Sequence, residues 1–390
     1  MDVKKRVDEI FDEIVEIRRD IHKHPELGME EKRTSKIIKE FLDKYNIENY
    51  TCAGTGVVGI IRGKKPGKTV GLRADMDALP IKEETDLEFK SVYDGKMHAC
   101  GHDAHTSILL GVGKIFKEME DKLKGNIKLF FQPAEETVGG ALPMIEEGCM
   151  KDPDVDYVIG LHVFPSLETG YVEMKYDKMN ASTDEFNIRV RGQAGHGAYP
   201  HNSKDAIVIS AHVITGLQTM ISRSISPLDS VVFTIGTIKG GTGGNIIADR
   251  VEMTGTLRTL DEEQRKKAKE KITKIVENIC EAYDGKGEVE FIEGYKALIN
   301  NDQVVKVVEK KAKKLLGKDK VLIGKKPSMG AEDFSYFADE AMGAFFSLGC
   351  GNKEKGIVYN GHHPKFQIDE DCIKIGIFLQ VENALELLKH

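Results

Sequence analysis

Apolar residues recur at helical spacing from the start of the chain. Over residues 4–22, Val7, Ile10, Phe11, Ile14, Val15 and Ile17 share one face, with charges opposite. This predicts an opening helix that stops at His22-Lys23-His24-Pro25-Glu26, because Pro25 cannot continue it. The two histidines read as capping and solvated groups at that end. A second helical pattern covers residues 31–45, and the period then changes. Residues 57–61 and 69–77 are apolar runs around a Lys65-Pro66-Gly67 turn, and the second ends in Asp75 and Asp77. An apolar run that ends in carboxylates is the pattern of a buried strand presenting them to a site at its carboxyl edge. The design recurs twice: residues 126–133 lead into Ala134-Glu135-Glu136, and residues 157–161 into His162. Helical patterns over residues 106–118 and 140–147 lie between these strands. The alternation predicts an α/β fold with a mixed, partly parallel sheet flanked by helices, and the three polar strand ends predict a common site.

Near residue 180 the pattern changes. Residues 186–191, 231–236 and 251–257 alternate as half-buried strands, helical patterns cover 205–223 and 261–283, and a last strand covers 288–292. The order β-α-β-β-α-β predicts an inserted ferredoxin-like α+β domain over residues 180–293. Its antiparallel sheet leaves an edge strand able to pair with another copy. Helix and strand alternate again afterwards: a helix over 302–316, a strand over 344–348, and a closing helix over 369–388 that buries Ile373, Ile377, Phe378 and Val381. These residues join the first domain, which becomes discontinuous, 1–179 with 294–390.

Composition narrows the function classes. With 56 basic against 63 acidic residues, a net charge of −7 and no run of five or more Lys and Arg, the chain offers nucleic acid no footprint. No stretch approaches the roughly 18 apolar residues of a membrane span, and the amino terminus runs into an amphipathic helix, so a cytoplasmic location is expected. The six cysteines are scattered without a CxxC pair, which predicts free thiols rather than a disulfide framework.

Cys100 stands apart from the other five. Met97-His98-Ala99-Cys100-Gly101-His102-Asp103-Ala104-His105-Thr106 packs a thiol, three imidazoles and a carboxylate into ten residues. Thiolate and neutral imidazole are borderline-soft donors suited to zinc-like ions. Gathered from strand ends and loops, Cys100, His102, Glu136, His162 and His362 form a ligand set too large for one catalytic zinc and suited to two ions, with Asp75, Asp77 and Asp103 orienting imidazoles. Glu135, adjacent to Glu136 but on the opposite side of an extended chain, is the candidate general base. Taken alone, Glu135-Glu136 reads equally well as an acidic helix start, and His162 more readily as a satisfied core histidine. Their concurrence favours a binuclear hydrolase. The Gly-rich run Gly240-Gly241-Thr242-Gly243-Gly244-Asn245 lacks the Gly-Lys-Ser/Thr ending of a phosphate loop and reads as a loop beside a ligand.

MHACGHDAHT, RADMDALP (73–80), FQPAEE (131–136), GLHV (160–163), GQAGHGAYPH (192–201), GGNIIAD (243–249), GTLRTLDEE (255–263) and GAEDF (330–334) resemble segments of the M20 metallopeptidase superfamily. The resemblance is to its amidohydrolase subfamily, which includes N-acyl-amino-acid amidohydrolases, hippurate hydrolases and N-acetyldiaminopimelate deacetylases. It implies two divalent ions per subunit on Cys100, His102, Glu136, His162 and His362, with zinc first in order and manganese, cobalt or nickel as alternatives. Glu135 is implied as general acid/base and His196 as a group stabilising the tetrahedral intermediate. Asn245 and Arg258 are implied as holders of the substrate carboxylate or oxyanion, and residues 180–293 as a lid and dimerisation domain. Relatives carry a single histidine before the proline of Gly361-His362-His363-Pro364; spacing to Pro364 selects His362.

The expected reaction is metal-dependent hydrolysis of the amide bond of N-acyl-L-amino acids by a homodimer or higher homo-oligomer. A dipeptidase or carboxypeptidase of the same superfamily, or an N-acetyldiaminopimelate deacetylase, is the alternative. A zinc deaminase would need H-x-E with P-C-x-x-C, which is absent.

Overall fold

A computed structural model describes residues 1–390, and the chain divides into two compact units. The first comprises residues 1–177, 299–326 and 333–390; the second comprises 178–298 and 327–332.

The first unit is built on an eight-stranded sheet. From one edge to the other its strands are Glu48–Cys52, Gly56–Arg62, Lys124–Gln132, Lys65–Asp75, Tyr157–Glu168, Met342–Gly351, Val172–Met174 and Val321–Ile323. The middle four run parallel, with antiparallel neighbours on both sides. Such central strands are buried on both faces, which explains their unbroken apolar runs. Side chains alternate between the faces. Leu129 and Phe131 join the core beneath the helices Val3–Lys23, His102–Met119 and Asp371–Leu387, whereas Phe130 stacks on Phe337 of the short helix Phe334–Glu340 at 5.1 Å. The sheet is thus mixed, as expected, and parallel through its middle four strands, with helices on both faces.

Among the element boundaries that differ from the sequence expectation, two matter for the site. The helix expected at residue 106 begins at His102, one turn earlier. Gly101 makes this possible by adopting φ +89°, and its carbonyl accepts from the amides of Ala104 and His105. A Cβ at Gly101 would lie 2.3 Å from Val163 Cγ2, so only glycine brings the helix start against the neighbouring strand. The strand expected to end at His162 continues to Glu168, so His162 lies within it. Polar side chains in a first turn or mid-strand conceal the apolar period on which such boundaries are read.

The second unit has a four-stranded antiparallel sheet in the order Val231–Gly240, Arg250–Thr259, Asp184–Arg191, Lys286–Glu293. In chain order the first strand lies between the third and fourth, the ferredoxin-like arrangement. The helices Ala206–Arg223 and Glu262–Ala282 bury Val213, Leu217, Ile272 and Val276 against Phe186, Ile188, Met253 and Leu257. Asp205 and Asp261 cap these helices, each accepting two backbone N–H bonds in the first turn. Asp184 and Arg265, both buried, pair at 2.7 Å. No helix of the chain is long and apolar enough to cross a membrane.

Candidate metal centre

The carboxyl edge of the parallel strands gathers the candidate ligands of the first unit. Asp75 ends the strand Lys65–Asp75, and Asp77 follows two residues on. Glu135 and Glu136 occupy the turn after Lys124–Gln132, entered through Ala134 at φ +56°. His162 projects from Tyr157–Glu168, which pairs with Lys65–Asp75 on its other side. The backbone N–H of His362 donates to the Ala99 carbonyl at 2.8 Å, which ties the loop near the carboxyl terminus to the segment carrying Cys100.

Donor atoms meet in overlapping groups within 4.8 Å: Cys100 with His102 and His162, Cys100 with Glu136 and His362, and His102 with Glu135 and Glu136. Cys100 Sγ lies 3.2 Å from His162 Nε2, and His362 Nε2 lies 3.0 Å from Glu136 Oε1. His363, the competing neighbour of His362, stacks on Tyr359 at 4.3 Å. His102 Nε2 is buried without any hydrogen-bond partner, its nearest carboxylate oxygens being Asp75 at 3.7 Å and Glu136 at 3.9 Å. A buried imidazole nitrogen left bare is costly unless a ligand completes it, and the thiol, imidazoles and carboxylates of these overlapping groups fit borderline-soft divalent ions.

The surrounding bonds set each imidazole. His162 Nδ1 donates to its neighbour's carbonyl, Val163 O, at 2.8 Å, which leaves Nε2 with its lone pair toward Cys100. Burial and the adjacent His105 hold His162 down at about 3, so the ring is neutral. His102 Nδ1 meets Asp77 Oδ1 at 3.2 Å; against its burial, Asp75 and Cys100 raise this imidazole well above its usual value. Burial pushes the Cys100 thiol well up, so binding a cation there releases a proton. The Glu136 carboxyl sits at about 2, its burial outweighed by the hydrogen bond from His362 and the charge of His102.

The three aspartates expected to orient imidazoles do different things. Asp77 Oδ1 and Oδ2 also accept the amides of Glu135 and Glu136 at 3.1 and 3.0 Å. Asp75 takes His105 Nδ1 at 2.5 Å and Arg73 Nη1 at 2.6 Å, while His105 Nε2 accepts from Val163 N–H. Both nitrogens of His105 are therefore engaged. Asp103 faces Arg18 at 2.7 Å and His22 at 2.9 Å, away from the cluster. This corrects the expectation for His22: the ring is fully buried and bonded to Asp103 rather than solvated at a helix end. His24 does act at that end, its Nδ1 meeting the Asp20 carbonyl at 2.8 Å.

His196, Asn245 and Arg258 belong to the second unit. His196 pairs with Ile246 in a two-stranded ribbon, and the Asn245 carbonyl accepts from Gly197, so the exposed His196 and Asn245 are neighbours. Arg258 sits on Arg250–Thr259 and donates to Met329 O at 3.0 Å. The Gly-rich run is an exposed loop that follows the strand Val231–Gly240.

Residues 71–382 match the model of peptidase family M20/M25/M40. The chain belongs to that family. It is an amide-bond hydrolase. Thermostable carboxypeptidase 1 of Saccharolobus solfataricus is 45% identical over 379 residues, 96% of this chain and 95% of the relative. N-acetyldiaminopimelate deacetylase of Bacillus cytotoxicus is 40% identical over 361 residues, 92% and 94% of the two chains. Bacillus subtilis YXEP, described as a dinuclear metal binding peptidase of family M20, superposes with a TM-score of 0.86 at 31% identity, covering 98% of this chain and 99% of its own.

Sequence reasoning missed Glu31, Arg73, His105 and the pairing of Asp103 with His22. Each is a buried polar residue in an otherwise apolar or helical run, and a partner of each lies far away in sequence: Ala134 for Glu31, Asp333 for Arg73, Asp75 for His105 and Asp103 for His22.

Proposed function

We propose that the chain hydrolyses the amide bond of N-acyl-L-amino acids, with Glu135 as general acid/base beside a two-ion centre held by Cys100, His102, Glu136, His162 and His362. The observation that carries this reading is the pair of donor groups that share Cys100, one with His102 and His162 and the other with Glu136 and His362, together with the partnerless nitrogen of His102. When bound, divalent ions supply Lewis acidity toward the acyl carbonyl and lower the pKa of coordinated water toward neutrality. Water adds to the acyl carbon and the C–N bond breaks. Glu135 takes the proton from the attacking water and returns it to the departing nitrogen. Asp77, by holding both glutamate amides and the His102 ring, keeps the proton carrier in fixed register with the ligands. The resemblance assigns His196 to the tetrahedral intermediate and Asn245 and Arg258 to the substrate carboxylate or oxyanion.

A peptidase reading is supported by the 45% identical carboxypeptidase. A carboxypeptidase and an N-acyl-amino-acid hydrolase both release an amino acid with a free carboxylate, and they differ in the acyl side of the bond. The deciding experiment follows amino-acid release from N-acetyl, N-benzoyl and indole-acetyl amino acids, N-acetyldiaminopimelate and dipeptides. The enzyme is first chelated and then reloaded with zinc, manganese, cobalt or nickel. Metal-restored cleavage of acyl substrates supports the proposal; cleavage of dipeptides alone replaces it with the peptidase reading. The thiolate donor favours zinc.

Pairing of two copies through the second unit is part of the proposal. Its edge strand Val231–Gly240 exposes Val232 and Ile238, and the helix Ala206–Arg223 exposes Ile207 and Val208. Sedimentation of Ile238→Lys against the wild type tests it, with a monomer expected for the variant.

A further inference from the structure

Glu31 is a fully buried carboxylate outside the ligand cluster, and the chemistry described above leaves it without a task. Its Oε1 accepts the backbone N–H of Ala134 at 2.9 Å, and its Oε2 accepts the Thr55 hydroxyl at 2.6 Å. Ala134 directly precedes Glu135 and has φ +56°, a backbone state that L residues other than Asn and Asp rarely hold without support. On the far side of the same turn, Asp77 accepts the amides of Glu135 and Glu136. The turn carrying the proton carrier is thus gripped by two carboxylates, one at its entrance and one at its end.

The support behind Glu31 is itself rigid. Glu26 accepts the amides of Arg33 and Thr34 at 2.9 and 2.8 Å, which anchors the start of the helix Lys32–Lys44, and its carbonyl accepts Ala78 N–H. Gly28 lies so close to the turn that a Cβ there would meet Thr137 Oγ1 at 2.3 Å and Ala134 Cα at 3.1 Å. Residues 26–31 therefore form a fixed wall against residues 134–137. The Ala134 carbonyl closes the turn by accepting from Gly139 at 2.9 Å.

We propose that Glu31 is a positioning residue, whose buried carboxylate holds Ala134 in the left-handed conformation that aims Glu135 at its substrate. The inference rests on the reading of Glu135 as general acid/base. Misplacement of a reacting group by about 1 Å can cost about 10²-fold in rate, so the effect belongs to kcat and not to binding.

The test compares Glu31→Ala, Glu31→Gln, Thr55→Val, Ala134→Val and Glu135→Gln in the metal-loaded full chain, reading kcat, KM and bound metal. Glu31→Ala is expected to lower kcat about 30–100-fold with KM within about threefold of wild type and metal content unchanged. Glu31→Gln keeps a carbonyl for Ala134 N–H and is expected to recover kcat to within about fivefold, and Thr55→Val leaves that bond in place and stays within about threefold. Ala134→Val keeps Glu31 but makes the left-handed backbone costly; it is expected to show the same kcat-selective loss, and it tests the relationship if Glu31→Ala does not fold. Unchanged kcat in Glu31→Ala or Ala134→Val overturns the inference, as does a loss that merely follows lost metal. An inactive Glu135→Gln beside a fully active Glu31→Ala removes this inference alone, whereas an active Glu135→Gln removes the reading on which it rests.

Discussion

His102 Nδ1 and Asp77 Oδ1 lie 3.2 Å apart, and the same aspartate accepts the amides of Glu135 and Glu136. One buried carboxylate therefore fixes the ring of a candidate ligand and the backbone of the proposed proton carrier together. Asp77→Asn keeps the shape but weakens all three bonds by removing the charge. Metal affinity is expected to fall about 10–100-fold, measured by competition with a chromophoric chelator. An unchanged affinity contradicts the coupling.

Gly101 at φ +89°, with Val163 Cγ2 2.3 Å from where a Cβ would stand, is the point at which the helix carrying His102 meets the strand carrying His162. Gly101→Ala combines a left-handed cost of about 1–2 kcal/mol with a steric clash. The variant is expected to unfold earlier in urea and to bind metal more weakly than wild type. A wild-type unfolding midpoint counts against this account of the helix start.

Arg73 is buried between Asp75 at 2.6 Å and Asp333 at 2.9 Å. Arg73→Met strands both carboxylates, and breaking a buried pair in this way costs about 3–5 kcal/mol. A drop of that size in unfolding free energy is expected from denaturant titration, with Asp75→Asn in the same background restoring part of it. No restoration means that the arginine acts through its packing.

In the second unit the hydrogen bonds from Arg265 and Lys269 outweigh burial and lower the Asp184 carboxyl. A carboxyl lowered on folding contributes stability that is present above its unfolded value, about 3.9, and is lost as pH falls through the folded value. The stability gap between wild type and Asp184→Asn is expected to be constant near neutrality and to shrink below about pH 4. Thermal unfolding at pH 7, 5, 4 and 3 reads it directly, and a gap that stays constant down to pH 3 rules out the ion pair as its source.

The α/β alternation and the ferredoxin-like order were legible because apolar period and turn residues are local signals that the packed core amplifies: residues 186–191 alternate in sequence and bury Phe186, Ile188 and Val190. The cluster was legible for a related reason, since Cys100 and His102 stand out in a dense run of metal-competent side chains, and Glu136 and His162 as polar groups directly after apolar runs. What escaped was whatever depends on partners distant in sequence. His22 finds Asp103 81 residues away, and Glu31 finds Ala134 103 residues away. At residue 102 the helix start was hidden because His102 and His105 on its first turn are buried by polar partners, Asp77 and Asp75, instead of by apolar ones.

The most direct test is the turnover of Glu135→Gln, chelated and then reloaded with two equivalents of zinc, on the N-acyl amino acid that the wild type cleaves best. The account predicts that the variant binds both ions and loses about 10²–10⁴-fold in kcat, the contribution of a positioned proton carrier. Turnover within tenfold of wild type, with both ions bound, would contradict it.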